Sequence, residues 1–346
     1  MNFASDNAYG AWPEIVAAIS AAASAAVPSY GDDALTRAVR NRLREIFECE
    51  LAVFPVISGT AANALALATL VPPHGAIVCH REAHIAVDEC GAPEFFTHGA
   101  KLIALEGDGA KLTPRDIAHA LAHFQKGFVH HVQPMALSLT QSTELGTVYT
   151  TDETKALSAL AHANGMKVHM DGARFANALC HLKCTPAEAT WRAGVDVLSF
   201  GATKNGALGA EAVIFFHPED AGDFEYRRKK AGHLISKMRF VSAQLDAYLT
   251  GDRWLEHAGR ANALARRLAE GLGGIAGVEI AYPVQANAVF AWLPDATVRH
   301  LRGKGAAFYD WGPPQGGRTL VRLVTSFGTP EEDVTRFLEA AKSAAT

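Results

Sequence analysis

The chain has 346 residues, 49% of them hydrophobic and 20% charged, enough for a well-buried core and for more than one folding unit. A net charge of -4 with no basic run excludes nucleic acid as the main partner, because phosphate backbones call for a basic face. No apolar stretch is long enough to cross a bilayer, and five cysteines without a framework of spacings point to reduced thiols in a cytoplasmic protein.

The first ten residues, MNFASDNAYG, are polar and irregular and predict an arm. The alanine-rich run Ile15 to Val27 has the acidic residues Asp6 and Glu14 before it and no basic flank. It is therefore read as an amphipathic helix rather than a signal segment. In SYGDDALTRAVRNRLREIFE, Asp32 or Asp33 is placed to cap a helix whose apolar positions are Leu35, Val39, Leu43 and Phe47. LAVFPVISGTAANALALATL then reads as a short strand, a Ser-Gly-Thr turn and a helix.

Strand-like and helical runs alternate from there: GAIVCH, KLIALEG, a helix from near Thr113, GFVHHV, a capped helix ending on Gly165, and MKVHMDGARF, which begins as a strand. After another helix come VDVLSFGATKNG and EAVIFFHP. This alternation predicts an α/β layer with a mostly parallel sheet flanked by helices. From about Gly251 an arginine-rich helix leads into the shorter strands VEIAYP, NAVFAWLP and RTLVRLVTSF and a last helix after Pro330. The expected organisation is an arm over 1–14, a large α/β domain over 15–250 and a small α+β domain over 251–346.

There is no GxGxxG turn, P-loop or GxSxG elbow. His80 and His84 in HREAHI are spaced i, i+4, which on a helix would aim two imidazoles at one metal. No third ligand is marked out, so ordinary loop residues and an aromatic role for one of the rings stand beside that reading. Small residues in ISGTAANAL sit where a strand turns into a helix, and amides at a helix N-terminus favour an anion. Asp171 closes an apolar strand, followed by Gly172 and Arg174, at the rim where α/β sheets bind ligands. Lys204 leaves the buried run Val195, Val197, Leu198, Phe200.

A phosphate turn, a strand-end aspartate and a strand-end lysine, in that order in one layer, are what pyridoxal phosphate requires. Its aldehyde needs an amine, its pyridine nitrogen a carboxylate, and its phosphate a helix N-terminus.

At SDN, YGDD, SGTAAN, HREAHI with DECG, MDGAR, SFGATKNG and VRLVTSF the sequence resembles the low-specificity L-threonine aldolases of the aspartate-aminotransferase-like fold, fold type I of the pyridoxal-phosphate enzymes. The resemblance implies that Lys204 bonds the cofactor aldehyde and Asp171 pairs with the pyridine nitrogen. Gly59 and Thr60 would hold the phosphate, with Thr203 beside them, and His84 would stack on the ring. Ser5, Arg174 and Arg322 would hold the substrate carboxylate or cofactor oxygens. It implies no metal. The reaction implied is cleavage of L-β-hydroxy-α-amino acids such as threonine, allo-threonine and phenylserine to glycine and an aldehyde.

Many relatives carry a Glu-Asn-Thr-His segment where this chain has TQSTELG, with Glu144 in the histidine's place. The base is then His84, Glu144 or an ordered water. Sites of this fold lie at a subunit interface, which implies a homo-oligomer, a dimer or a homotetrameric dimer of dimers. Arg228, Lys229 or Lys237 is the candidate to reach a partner's phosphate, against the plainer reading of a solvated helical face. A β-eliminating lyase or aminotransferase of the same fold is the alternative, and a non-enzymatic binding protein on this scaffold a more distant one.

Overall fold

A computed structural model describes residues 1–24 and 26–344 of the chain. Helix α1 (Pro13–Ala22) is shorter than its alanine-rich run. Pro28 restricts the residue before it to extended backbone, and the exposed alanines beyond Ala22 have nothing to bury, so no helix reaches Val27. Ala25 lies outside the described residues. Asp33 caps α2 (Ala34–Phe47) by accepting from Thr36 N, and Thr36, Val39, Leu43 and Phe47 form its buried stripe.

Strand β1 (Ala52–Val56) contains Pro55 and pairs on one side only, as an edge strand can. Ser58 caps α3 (Gly59–Leu70), in which every residue from Ala61 to Ala68 is buried. Its alanines let the helix run close beneath the sheet, which explains a composition with no polar face. Strand β2 (Gly75–His80), the short helices α4 (His84–Val87) and α5 (Ala92–Phe96), β3 (Lys101–Leu105) and α6 (Pro114–Leu121) follow.

The next strand is β4 (Gln133–Thr140), not the preceding GFVHHV run. Residues 127–132 form turns, with Val129 90% exposed, and the buried apolar residues Ala136, Leu137 and Leu139 lie beyond them. Then come α7 (Thr151–Ala163), opened by a Thr150–Glu153 capping box, β5 (Lys167–Gly172), α8 (Phe175–Leu182), β6 (Val197–Gly201) and β7 (Glu211–Phe215).

These strands make a seven-stranded sheet in the order β1-β7-β6-β5-β4-β2-β3. All neighbours from β6 to β3 are parallel, while β7 is antiparallel to both β6 and β1. Two antiparallel steps restore the direction, so β1 points the same way as β5 and β6. Their carboxyl ends, and that of β2, therefore open on one rim.

Helices α9 (Phe224–Lys230), α10 (Arg239–Leu249) and α11 (Arg253–Gly273) lead to β8 (Glu279–Ile280), β9 (Ala288–Pro294), α12 (Asp295–Gly303), β10 (Tyr309–Asp310), β11 (Arg318–Val324) and α13 (Glu331–Ser343). The last four strands form an antiparallel sheet, β10-β11-β9-β8, over its own core. Phe3 of the arm is fully buried in that core, edge-on to Phe337, and its backbone N–H donates to Ala307 O. The first residues are thus packed against the second sheet. No helix among the described residues is long and apolar enough to cross a membrane.

Candidate active site

The carboxyl ends of β1, β2, β5 and β6 surround a cavity of about 240 Å³. Ser58, Gly59 and Thr60 enter it from the start of α3, His84 from the start of α4, Asp171 from the end of β5, and Thr203 and Lys204 from the turn after β6. A larger open groove of about 1400 Å³ between β3 and α6 contains none of these groups.

The lysine turn is fastened on both sides. Thr203 N donates to Glu211 Oε1 at 3.4 Å, and the Thr203 hydroxyl accepts from Ala210 N at 3.1 Å. Asn205 Nδ2 donates to Tyr248 Oη at 2.9 Å and to Trp254 O at 2.8 Å. Gly206 holds φ +117, and a Cβ there would fall on the Trp12 indole, so glycine is required. Between these fastenings Lys204 is half-buried, and its amine makes no hydrogen bond or ion pair among the described residues.

Asp171 is buried with both oxygens engaged, Oδ1 by Ala173 N at 3.0 Å and Oδ2 by Asn63 Nδ2 at 2.8 Å. The same Asn63 nitrogen donates to Glu89 Oε1 at 2.8 Å, and that oxygen meets His84 Nδ1, also at 2.8 Å. The bond to Glu89 is the largest influence on His84 and raises its pKa; burial and Lys204 oppose it, while Asp171 and Glu144 add to it. Burial raises Glu89 itself, against the bonds from His84 and Asn63.

His80 and His84 do not share a helix. His80 ends β2 with its ring nitrogens meeting Gly107 O and Glu82 N, while His84 opens α4. No group of three or more metal-ligating side chains occurs among the described residues.

The arginines lie beside one another. Arg174 Nε and Nη2 grip Asp6 Oδ2 and Oδ1 at 2.8 and 3.0 Å. Burial alone would raise Asp6, but Arg174, then Lys204, hold it below the ordinary carboxylate value. Arg322 stacks over the rings of Trp311 and Tyr309, with its Nε buried and without a hydrogen-bond partner among the described residues. Burial, and next the Arg174 charge, lower its pKa, while Glu144 opposes them. Glu144 therefore lies within the field of His84, Arg174 and Arg322, yet lines a neighbouring pocket with His80 and Thr143 rather than the Lys204 cavity. Ser5 caps the short turn Asp6–Ala8, and Asn7 of that turn reaches the cavity.

Four residues at the site were given no role from the sequence, Asn7, Asn63, Glu89 and Glu211, although the first three lie in the segments SDN, SGTAAN and DECG that carry the resemblance. Glu211 opens the wholly buried strand β7, and burial raises its carboxyl to about 7 against the Thr203 bond and the Lys204 charge. A charged residue at the head of a run such as EAVIFF was the available signal. Of the basic candidates outside the cavity, Arg228 is buried with Nε and Nη2 unpartnered, Lys229 lies over the Tyr30 ring, and Lys237 is exposed.

Pyridoxal phosphate fits these residues. The amine has no partner among the described residues, a carboxylate is fixed by two N–H groups, and the N-terminus of α3 begins with a glycine whose missing side chain leaves open space.

Residues 2–296 match the family model of the beta-eliminating lyases. A low specificity L-threonine aldolase of a Pseudomonas species is 45% identical over 92% of this chain and 91% of its own length. One from Pseudomonas aeruginosa is 46% identical with the same coverage. The solved threonine aldolase of Leishmania major superposes with a TM-score of 0.94 at 27% identity, covering 100% of this chain and 99% of that one. The cavity, its lysine and these likenesses agree, and the chain belongs to the beta-eliminating lyase family and, within it, to the low-specificity L-threonine aldolases.

Proposed function

We propose that the chain cleaves L-threonine and related L-β-hydroxy-α-amino acids, allo-threonine and phenylserine among them, to glycine and an aldehyde, with pyridoxal phosphate as cofactor. The observation that carries this reading is the unpartnered Lys204 amine facing Asp171 and the α3 N-terminus across one cavity. When bound, the cofactor supplies the sink for the electron pair of the breaking Cα–Cβ bond.

The chain's own groups do the rest. Lys204 would hold the cofactor through its aldehyde. Asp171 would pair with the pyridine nitrogen and keep it protonated, and Gly59, Thr60 and the turn at Thr203 would take the phosphate end. Arg322 Nε and the free Nη1 of Arg174 hold the substrate carboxylate, with Ser5 in the neighbouring arm. An anion between two adjacent guanidiniums relieves their repulsion and gains charge-assisted bonds. His84, which lines the cavity, takes the β-hydroxyl proton, and Glu144, which does not, tunes the field around it. General-base assistance of this kind is worth on the order of 10²–10⁴-fold.

Incubation of the loaded protein with L-threonine, L-allo-threonine and L-phenylserine is expected to release glycine and the matching aldehyde in equal amounts. Release from none of them sinks the reading.

The chain works as a homo-oligomer, a dimer or a tetramer built from dimers, in the cytoplasm. Leu208, 61% exposed, and Ile57, 39% exposed, form an apolar rim on the cavity that a second copy would cover. An active, loaded monomer in sedimentation equilibrium would exclude this assembly.

A further inference from the structure

We propose that Glu89 is a positioning residue that fixes His84 as the Nδ1–H tautomer and, through the Asn63 amide, ties it to Asp171 in one frame. The proposal rests on the reading that His84 takes the β-hydroxyl proton, and it says which nitrogen does so.

The Glu89 side chain is fully buried, and a carboxylate is costly there unless donors meet it. Both of its donors line the cofactor cavity, His84 Nδ1 and Asn63 Nδ2, each 2.8 Å from the same oxygen. Glu89 follows the His84 ring by five residues, two past the end of α4, and the chain turns after it at Cys90 (φ 51) and Gly91 (φ 73), both left-handed.

Asn63 has one amide orientation available. Its nitrogen sits between Glu89 Oε1 and Asp171 Oδ2, and turning the amide would aim its carbonyl at two carboxylates. Asn63 lies one helical turn beyond Gly59 on α3, on the same face. The helix whose N-terminus receives the phosphate thereby also sets the positions of Asp171 and, through Glu89, of His84.

A carboxylate on Nδ1 takes that nitrogen's proton as a hydrogen bond and leaves Nε2 as a lone pair. His84 Nε2 makes no hydrogen bond within the described residues, so the lone pair is available to substrate. The charged groups around the ring are Glu89, Asp171 and Glu144, with Lys204 opposing them.

Long-range proton–nitrogen spectra of the loaded protein labelled with ¹⁵N-histidine test the frame directly, with His84→Asn identifying the resonance. The wild-type ring is expected as Nδ1–H above its titration. Glu89→Ala should shift it toward Nε2–H. Glu89→Gln, which keeps an acceptor oxygen, should retain Nδ1–H while His84 titrates about one pH unit lower or more, because the carboxylate that favours the imidazolium is gone. The acid limb of cleavage should move down with it.

A wild-type Nε2–H ring, or a Glu89→Ala ring that stays Nδ1–H, overturns the proposal. The wild-type spectrum alone decides the tautomer even where the variants fold poorly. Failure to cleave any amino acid sinks the aldolase reading and leaves that spectrum standing, while an Nε2–H ring in an active enzyme removes only the frame.

Discussion

Lys204→Ala is expected to lower threonine cleavage by roughly 10³-fold or more, because removing a covalently acting amine takes away a step that other groups do not replace. The loss should appear in kcat, with the visible band of the bound cofactor altered. The fold should remain: the turn is held by Thr203, Asn205 and Gly206, none of which depends on the lysine side chain. Circular dichroism and urea unfolding should accordingly match the wild type. Addition of a small primary amine is expected to restore part of the rate. A variant that retains full activity would show that the amine in this cavity is not the reagent.

The parts of the site that could be read in the sequence are those carried by local pattern. The strand, Ser-Gly-Thr turn and helix at β1 and α3, the strand ending in Asp171, and the strand ending in Lys204 each combine an apolar run with a small-residue turn. Each run folds as its own residues dictate, and the sheet, in which β1, β5 and β6 run the same way, brings the ends to one rim. GFVHHV misleads because three apolar residues, Phe128, Val129 and Val132, flank two histidines and imitate a strand, although the chain there only turns before β4. The i, i+4 histidines mislead for a related reason: the spacing carries meaning on a helix, and β2 ends at His80.

What could not be read are pairings between distant residues. Asn63 meets Asp171 across 108 positions and Asp6 meets Arg174 across 168. Neither has a periodicity or spacing to announce it. Glu89 is only five residues from His84, but its role lies in the Nδ1 contact and in the bond from Asn63, 26 positions away, which no local pattern announces. The framework of the site is thus local, and the groups that tune it arrive through the tertiary fold.

Asp6→Asn is expected to destabilise the protein by about 3–5 kcal/mol, the usual cost of removing one partner from a buried ion pair. Asp6 is 3% exposed and joins three parts of the chain: the arm that carries it, Arg174 at the head of α8, and Asn287 before β9, whose Nδ2 donates to it at 3.1 Å. Asparagine cannot neutralise Arg174, which would remain charged beside Arg322. The pH dependence has a definite sign. A carboxyl held below its ordinary value of 3.8 contributes stability that is complete above that value and disappears as pH falls through the folded-state pKa. The gap between wild type and variant in urea unfolding, at fixed cofactor concentration, should be level between about pH 7 and 5 and close only in stronger acid. A gap that closes already near neutrality would assign the stabilisation to another group. The variant should also lose kcat/KM on threonine, since Arg174 is aimed by the bond that Asp6 provides, and a loss of stability with kcat/KM unchanged would separate the arm's structural role from substrate binding.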